Sequence, residues 1–154
     1  SPTTPADDDS LVSSGDTATD EELQESALEA LRRIAAEDAD AVEALNWTAQ
    51  LSSKKPGTRD DGIVYDTYDK ILELHLRHRS RYPQSLLVWS GDWPGSYGES
   101  SNDYWVTLSG DSHDAGEDVL DWCDSEGWGA GDCWAKRLAR SGEPTDNTLH
   151  PKED

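Results

Sequence analysis

Two runs near the middle of the chain carry its densest apolar pattern: residues 85–93 (SLLVWSGDW) and 103–111 (DYWVTLSGD). Val, Leu, Thr, Trp and Tyr dominate each run and Gly, Pro, Asn and Asp bound it, which predicts two strands. The Gly/Ser-rich link 94–102 returns one beside the other as a hairpin. Upstream, Leu23, Ala27, Leu31, Ile34, Ala35, Val42 and Leu45 recur at three- and four-residue steps, the stripe of an amphipathic helix. Thr19 opens it, with Glu22 at capping-box spacing. Residues 46–54 (NWTAQLSSK) alternate: Trp47, Ala49 and Leu51 point one way, Thr48, Gln50 and Ser52 the other.

Residues 55–62 hold Pro56, Gly57 and Gly62 and read as a loop. Asp66 caps a second helix that runs to about Tyr82 and ends at Pro83, with Tyr68, Ile71, Leu72, His75 and Tyr82 as its buried stripe. A third helix spans about 114–126, with Asp114 and Glu117 at capping-box spacing and Gly127 as its stop. Residues 132–138 (DCWAKRL) form a last strand. Residues 1–18 are too polar to offset ordering entropy and read as a disordered linker, and 141–154 as a flexible tail. The order is thus an acidic helix over 19–46 followed by β–α–β–β–α–β over 47–140. That pattern predicts an α+β, ferredoxin-like (split βαβ) domain whose four-stranded antiparallel sheet carries two helices on one face.

Composition sharpens this picture. Seven Trp and five Tyr accompany no Phe and no Met, so indoles must serve both in the core and at a surface. The formal charge of −20 repels phosphate backbones and anionic lipid, which excludes nucleic acid and an electrostatic membrane anchor. The charge is uneven: residues 1–46 hold 13 acids against Arg32 and Arg33. Acidic adaptation to salty surroundings would explain such a surface without any partner. The start at Ser1-Pro2-Thr3 reads as a boundary within a longer chain and leaves room for a signal peptide or membrane anchor upstream.

Catalytic and metal chemistry find little support. Asp92, Glu99, Asp103, Asp111 and Asp114 crowd one region, but nothing isolates the paired carboxylates of a glycosidase. The loop Gly127-Trp128-Gly129-Ala130-Gly131 follows a helix and opens a strand, the reverse of a phosphate-binding loop. His75 and His78 lie one turn apart with no third ligand. Neither a serine nucleophile motif nor a calcium loop is present. The reading is therefore not an enzyme, with no cofactor and no metal. The cluster of Arg77, Arg79 and Arg81 suits a helix C-terminus without a ligand. Asn46-Trp47-Thr48 matches a glycosylation sequon, but its strand context argues against use.

The segments WTAQLSS (47–53) and YWVTLSG (104–110) are similar to the two strand motifs of SPOR domains, the sporulation-related repeat family. The chain also looks like secreted or kinase-tethered actinobacterial domains carrying LSSK, LVWSGDW, YWVT and WC…CWAKRL segments. The resemblance covers about residues 47–140, with Ser52 where SPOR first strands usually have Gly and Lys54 where they have an aromatic. It implies a module that binds peptidoglycan glycan strands in a bacterial envelope.

Face assignment addresses the same ligand. Cys133 must face the third helix to reach Cys123, which turns Trp134 and Lys136 to the open face. Alternation places Gln50 and Ser52 there too. On the hairpin, Tyr104, Val106 and Leu108 are expected inward, with Trp105, Thr107 and Ser109 outward and Leu87 and Trp89 also outward. The expected ligand-binding set is Gln50, Ser52, Trp89, Trp105, Thr107, Trp134 and Lys136, indoles for sugar C–H faces and polar groups for orientation. In the alternative arrangement the N-terminal helix lies across this face and buries the indoles. The functional expectation is a non-catalytic module whose partner is cell-wall glycan. The alternative is an extracellular sensor or interaction domain, for example of a membrane kinase, whose partner is an envelope protein.

Cys123 and Cys133, ten residues apart, are positioned to bridge, and that bridge implies an extracytoplasmic location. Ellman's reagent should therefore detect no free thiol in the unfolded, unreduced protein; two thiols would remove both the disulfide and the location.

Overall fold

The computed structural model describes residues 16–150 apart from 61 and 130. The expected linker up to residue 15 and residues 151–154 lie outside the described residues. Helix α1 spans Asp16–Glu43, so the expected start at Thr19 falls inside it. Strand β1 is Trp47–Lys54, and where a loop was expected β2 (Thr58–Asp60) and β3 (Ile63–Tyr65) form a small antiparallel hairpin. Helix α2 (Tyr68–Arg81) starts after Thr67 rather than Asp66, and β4 is Leu86–Trp89. The link between the central strands is partly folded, with a 3-10 turn at Ser90–Asp92 and one helical turn, α3, at Pro94–Tyr97. Strand β5 (Trp105–Leu108), helix α4 (Gly116–Ser125, preceded by Ala115) and β6 (Trp134–Arg137) follow. The segment expected as a tail instead forms a 3-10 turn, Pro144–Asn147, and a short strand β7, Thr148–Leu149.

The sheet has five strands rather than four, in the order β4-β5-β1-β6-β7, with every neighbouring pair antiparallel. Its architecture is α+β with a long N-terminal helix, as the patterning predicts. Cys123 and Cys133 are joined, their Cα atoms 5.8 Å apart. The bridge closes a ten-residue separation, worth roughly 2–3 kcal/mol on a loop-entropy estimate.

Three apolar clusters hold the layers. Ala49, Leu51 and Ala135 pack with the disulfide against Val119 of α4 and against Tyr82. Leu87 and Trp105 pack against Leu31 of α1, Ile71 of α2 and Tyr65 of β3. On the other face Leu86, Val88, Val106 and Leu108 meet Val42, Trp93 and Tyr97. The hairpin is therefore covered on both faces, which is why both of its alternating sets are apolar. Of the α1 stripe, Ala27, Leu31 and Val42 are buried as expected, while Leu23 is 47% exposed.

Two polar contacts pin the helices. Asp38 Oδ2 of α1 accepts the Leu87 backbone N–H of β4 at 2.9 Å, and burial raises its carboxyl above the ordinary range. His75 of α2 is 1% exposed and lies 2.8 Å from Thr107 Oγ1 through Nδ1. Burial first, then the nearby Arg79 charge, pushes its imidazole down to about 4. The folded state thus prefers neutral His75. Its contribution is present above the unfolded value near 6.5 and is lost as pH falls toward about 4. In urea titrations the unfolding free energy should drop by up to about 3 kcal/mol more across that window than it does in His75→Gln. Equal slopes in the two proteins would contradict the assignment.

Candidate functional site

The uncovered part of the sheet lies over β1, β6 and β7, opposite α4. A cleft of about 740 Å³ opens there, walled by α3, the 3-10 turn 144–147 and the 101–104 stretch. The wall stands because the link and the C-terminal segment are tied together. Ser96 Oγ donates to Arg137 O at 2.5 Å and accepts Ala139 N at 2.8 Å. Asn147 Nδ2 donates to Gly95 O at 2.9 Å, and Arg137 Nε donates to Asn147 Oδ1 at 3.0 Å. The approach is close enough that a Cβ on Gly95 would lie 2.2 Å from Ser141 O.

The floor is Gln50, Trp134, Lys136 and Thr148. Lys136 is 5% exposed; its Nζ donates to Ser96 O and to Thr148 Oγ1, both at 2.7 Å, and lies 4.3 Å from the Tyr97 ring centre. Burial lowers its ammonium to about 8, and among the described residues no carboxylate pairs with it. Tyr97 O–H donates to Gln50 Oε1 at 3.0 Å, and burial raises the phenol. Trp134 is half-buried, with His150 stacked on it at 4.3 Å between ring centres. The cleft contains a cation, hydroxyls, an amide and aromatic surface. It offers hydrogen bonding and stacking.

Four of the seven expected site residues meet here: Gln50, Ser52, Trp134 and Lys136 all line the cleft. The other three do not. Trp105 is 5% exposed, stacks on Trp89 at 4.8 Å and faces α1 and α2, and Thr107 is buried against His75. The expected outward set of the hairpin (Leu87, Trp89, Trp105 and Thr107) is thus the helix-facing set, while Val106 and Leu108 point to the opposite face. Alternation was anchored on the apolar set being inward. Here both sets are inward, and Thr107 is satisfied by a buried imidazole.

Alternation reasoning missed Ser96, Tyr97, Thr148 and His150, which sit in segments read as loop or tail. Pro94 at a helix start, with Trp93 and Tyr97 four apart, was the available signal for the first pair. The arginines of α2 are engaged internally: Arg77 with Glu73, Arg79 with Asp38, and Arg81 with Glu126 and the Tyr82 and Trp128 rings. Among the described residues no group of three or more His, Cys, Asp or Glu is placed to hold a metal ion, and no helix is long and apolar enough to cross a membrane.

No protein-family model, curated protein or solved structure matches the chain.

The two indoles should separate cleanly on truncation. Trp105→Ala should cost about 3–5 kcal/mol of folding free energy. Trp134→Ala should cost about 1 kcal/mol, the scale of one aromatic pair. Urea midpoints measure both, and comparable losses would place Trp134 in the core instead.

Proposed function

We propose that the protein is a non-catalytic, extracytoplasmic binding module that takes cell-wall glycan in the cleft over β1 and β6. One observation carries this reading: the uncovered sheet surface is a cleft whose floor combines an indole with an amide and hydroxyls. Sugars are recognised by that combination, an aromatic face against C–H groups and a few fixed polar groups for orientation. The volume lies within the range of about 300–1,000 Å³ usual for small-ligand sites. His150, exposed on the Trp134 ring, is the side chain a sugar would displace.

The strand order supports the finer fold reading. Without the edge strand β7, the order β4-β5-β1-β6 is what a ferredoxin-like split βαβ requires, and the SPOR resemblance rests on the same topology. The Cys123–Cys133 bridge fits an oxidising compartment and hence a secreted or surface-tethered protein. The binding surface differs from a flat sheet face, since Trp89 and Trp105 have no part in it.

Retention on purified, amidase-treated peptidoglycan tests the reading. The intact protein should sediment with the glycan, and Trp134→Ala should lose most of that retention while staying folded. Absence of retention in the intact protein would sink the glycan reading and leave the sensor or interaction-domain alternative.

A further inference from the structure

The cleft is biased toward donors. Tyr97 occupies Gln50 Oε1, which leaves the two amide N–H groups of Gln50 without a partner among the described residues. Thr148 Oγ1 accepts from Lys136, so its own hydroxyl proton is directed elsewhere. The Trp134 indole N–H also makes no hydrogen bond among the described residues, and Lys136 holds one N–H beyond the two it donates. The acceptors near the ammonium, Ser96 O and Thr148 Oγ1, are neutral. An ammonium this buried without a carboxylate is costly, and the cost is offset when an anion enters the same low-dielectric space.

We propose that the ligand of this cleft is a glycan whose sugar carries a free carboxylate, seated against Lys136 and oriented by Gln50 and Thr148. The inference rests on the glycan reading of the cleft and narrows it from sugars in general to acidic ones. A single ammonium whose third N–H meets only the face of the Tyr97 ring suits a monoanion better than a phosphate dianion, which calls for more cations around it. The protein's net charge of −20 works against such a ligand at long range. Added salt should therefore screen that repulsion and not strip the ligand away, the opposite of a basic surface patch.

Calorimetry on the intact protein with two probes of the same β-1,4 backbone tests this. The first is a peptide-free N-acetylglucosamine–N-acetylmuramic acid tetrasaccharide, whose lactyl group is a carboxylate. The second is chitotetraose, which lacks it. At about pH 7 the acidic probe should bind roughly 10- to 100-fold more tightly, the scale of one charge-assisted hydrogen bond. Lys136 titrates near 8 in the free protein, so that preference is present at lower pH and should collapse toward unity by about pH 10.

Lys54, Asp132, His150, Tyr97 and Tyr104 also line the cleft, and chitotetraose reports any titration of theirs. Equal affinity for the two probes at about pH 7 overturns the carboxylate inference while leaving the glycan site intact. A preference that persists unchanged to about pH 10 overturns Lys136 as the cation. Binding of neither probe overturns the glycan site itself. Lys136→Met should abolish the preference but keep chitotetraose binding; the pH titration of the unaltered protein stands on its own if that variant does not fold.

Discussion

The structure depends on one extra residue in its central strand. β1 pairs with β5 on one side and β6 on the other, and its register with β5 shifts between Gln50 and Ser52. Before that bulge, Ala49 and Leu51 face α4 and Gln50 faces the cleft. After it, Ser52 and Lys54 stand in register with Thr107 and Trp105; Lys54 reaches over the Tyr65 ring on the helical side, while Ser52, at the bulge itself, borders the cleft. A bulge changes which parity points inward, and it does so here in the middle of the sheet. Unbroken alternation would put Lys54 on the same face as Gln50 and Ser53 among the helices. The bulge thus lets one strand serve two differently built halves, one closed by the disulfide and α4, the other by α1 and α2.

How much of this was legible follows from the same residue. The helices, the central hairpin, the disulfide and the β6 orientation were readable, because each rests on local periodicity or on a covalent constraint. Cys133 fixed the β6 faces, and Trp134 and Lys136 came with it; Gln50 followed from the alternation of β1. The hairpin faces were not readable from the pattern alone. Leu86, Leu87, Val88 and Trp89 are apolar on both sides, so no alternation marks which side the helices take. What decides it is remote: Leu31 and Ile71 meeting Trp105, and His75 meeting Thr107. The second cover was invisible for a different reason. Segments 94–102 and 139–150 look like loop because their order comes largely from Ser96 and Asn147 binding backbone groups 41 and 52 residues away.

That second cover also explains how Lys136 is accommodated. A lysine side chain on a sheet face would ordinarily reach solvent with its head group. Here α3 closes over the side chain and β7 lies alongside it, and a carbonyl, a hydroxyl and a phenol ring substitute for water. The same groups hold the cleft's shape, so the polar floor and the wall are one network. Disturbing Ser96 or Asn147 would move both together.

The contact between Asp38 and the Leu87 amide bears on how the sheet meets other chains. β4 is one edge of the sheet, and an unoccupied edge amide is a template for a foreign strand. Asp38 already fills that position with a carboxylate carried on α1, and α1 lies along the strand. At the opposite edge β7 is two residues long, too short to template an extension. Growth of the sheet by strand addition is therefore blocked at one side by an acid and starved at the other by length. Both edges are thus closed to a foreign strand, and the long acidic helix supplies one of the two closures.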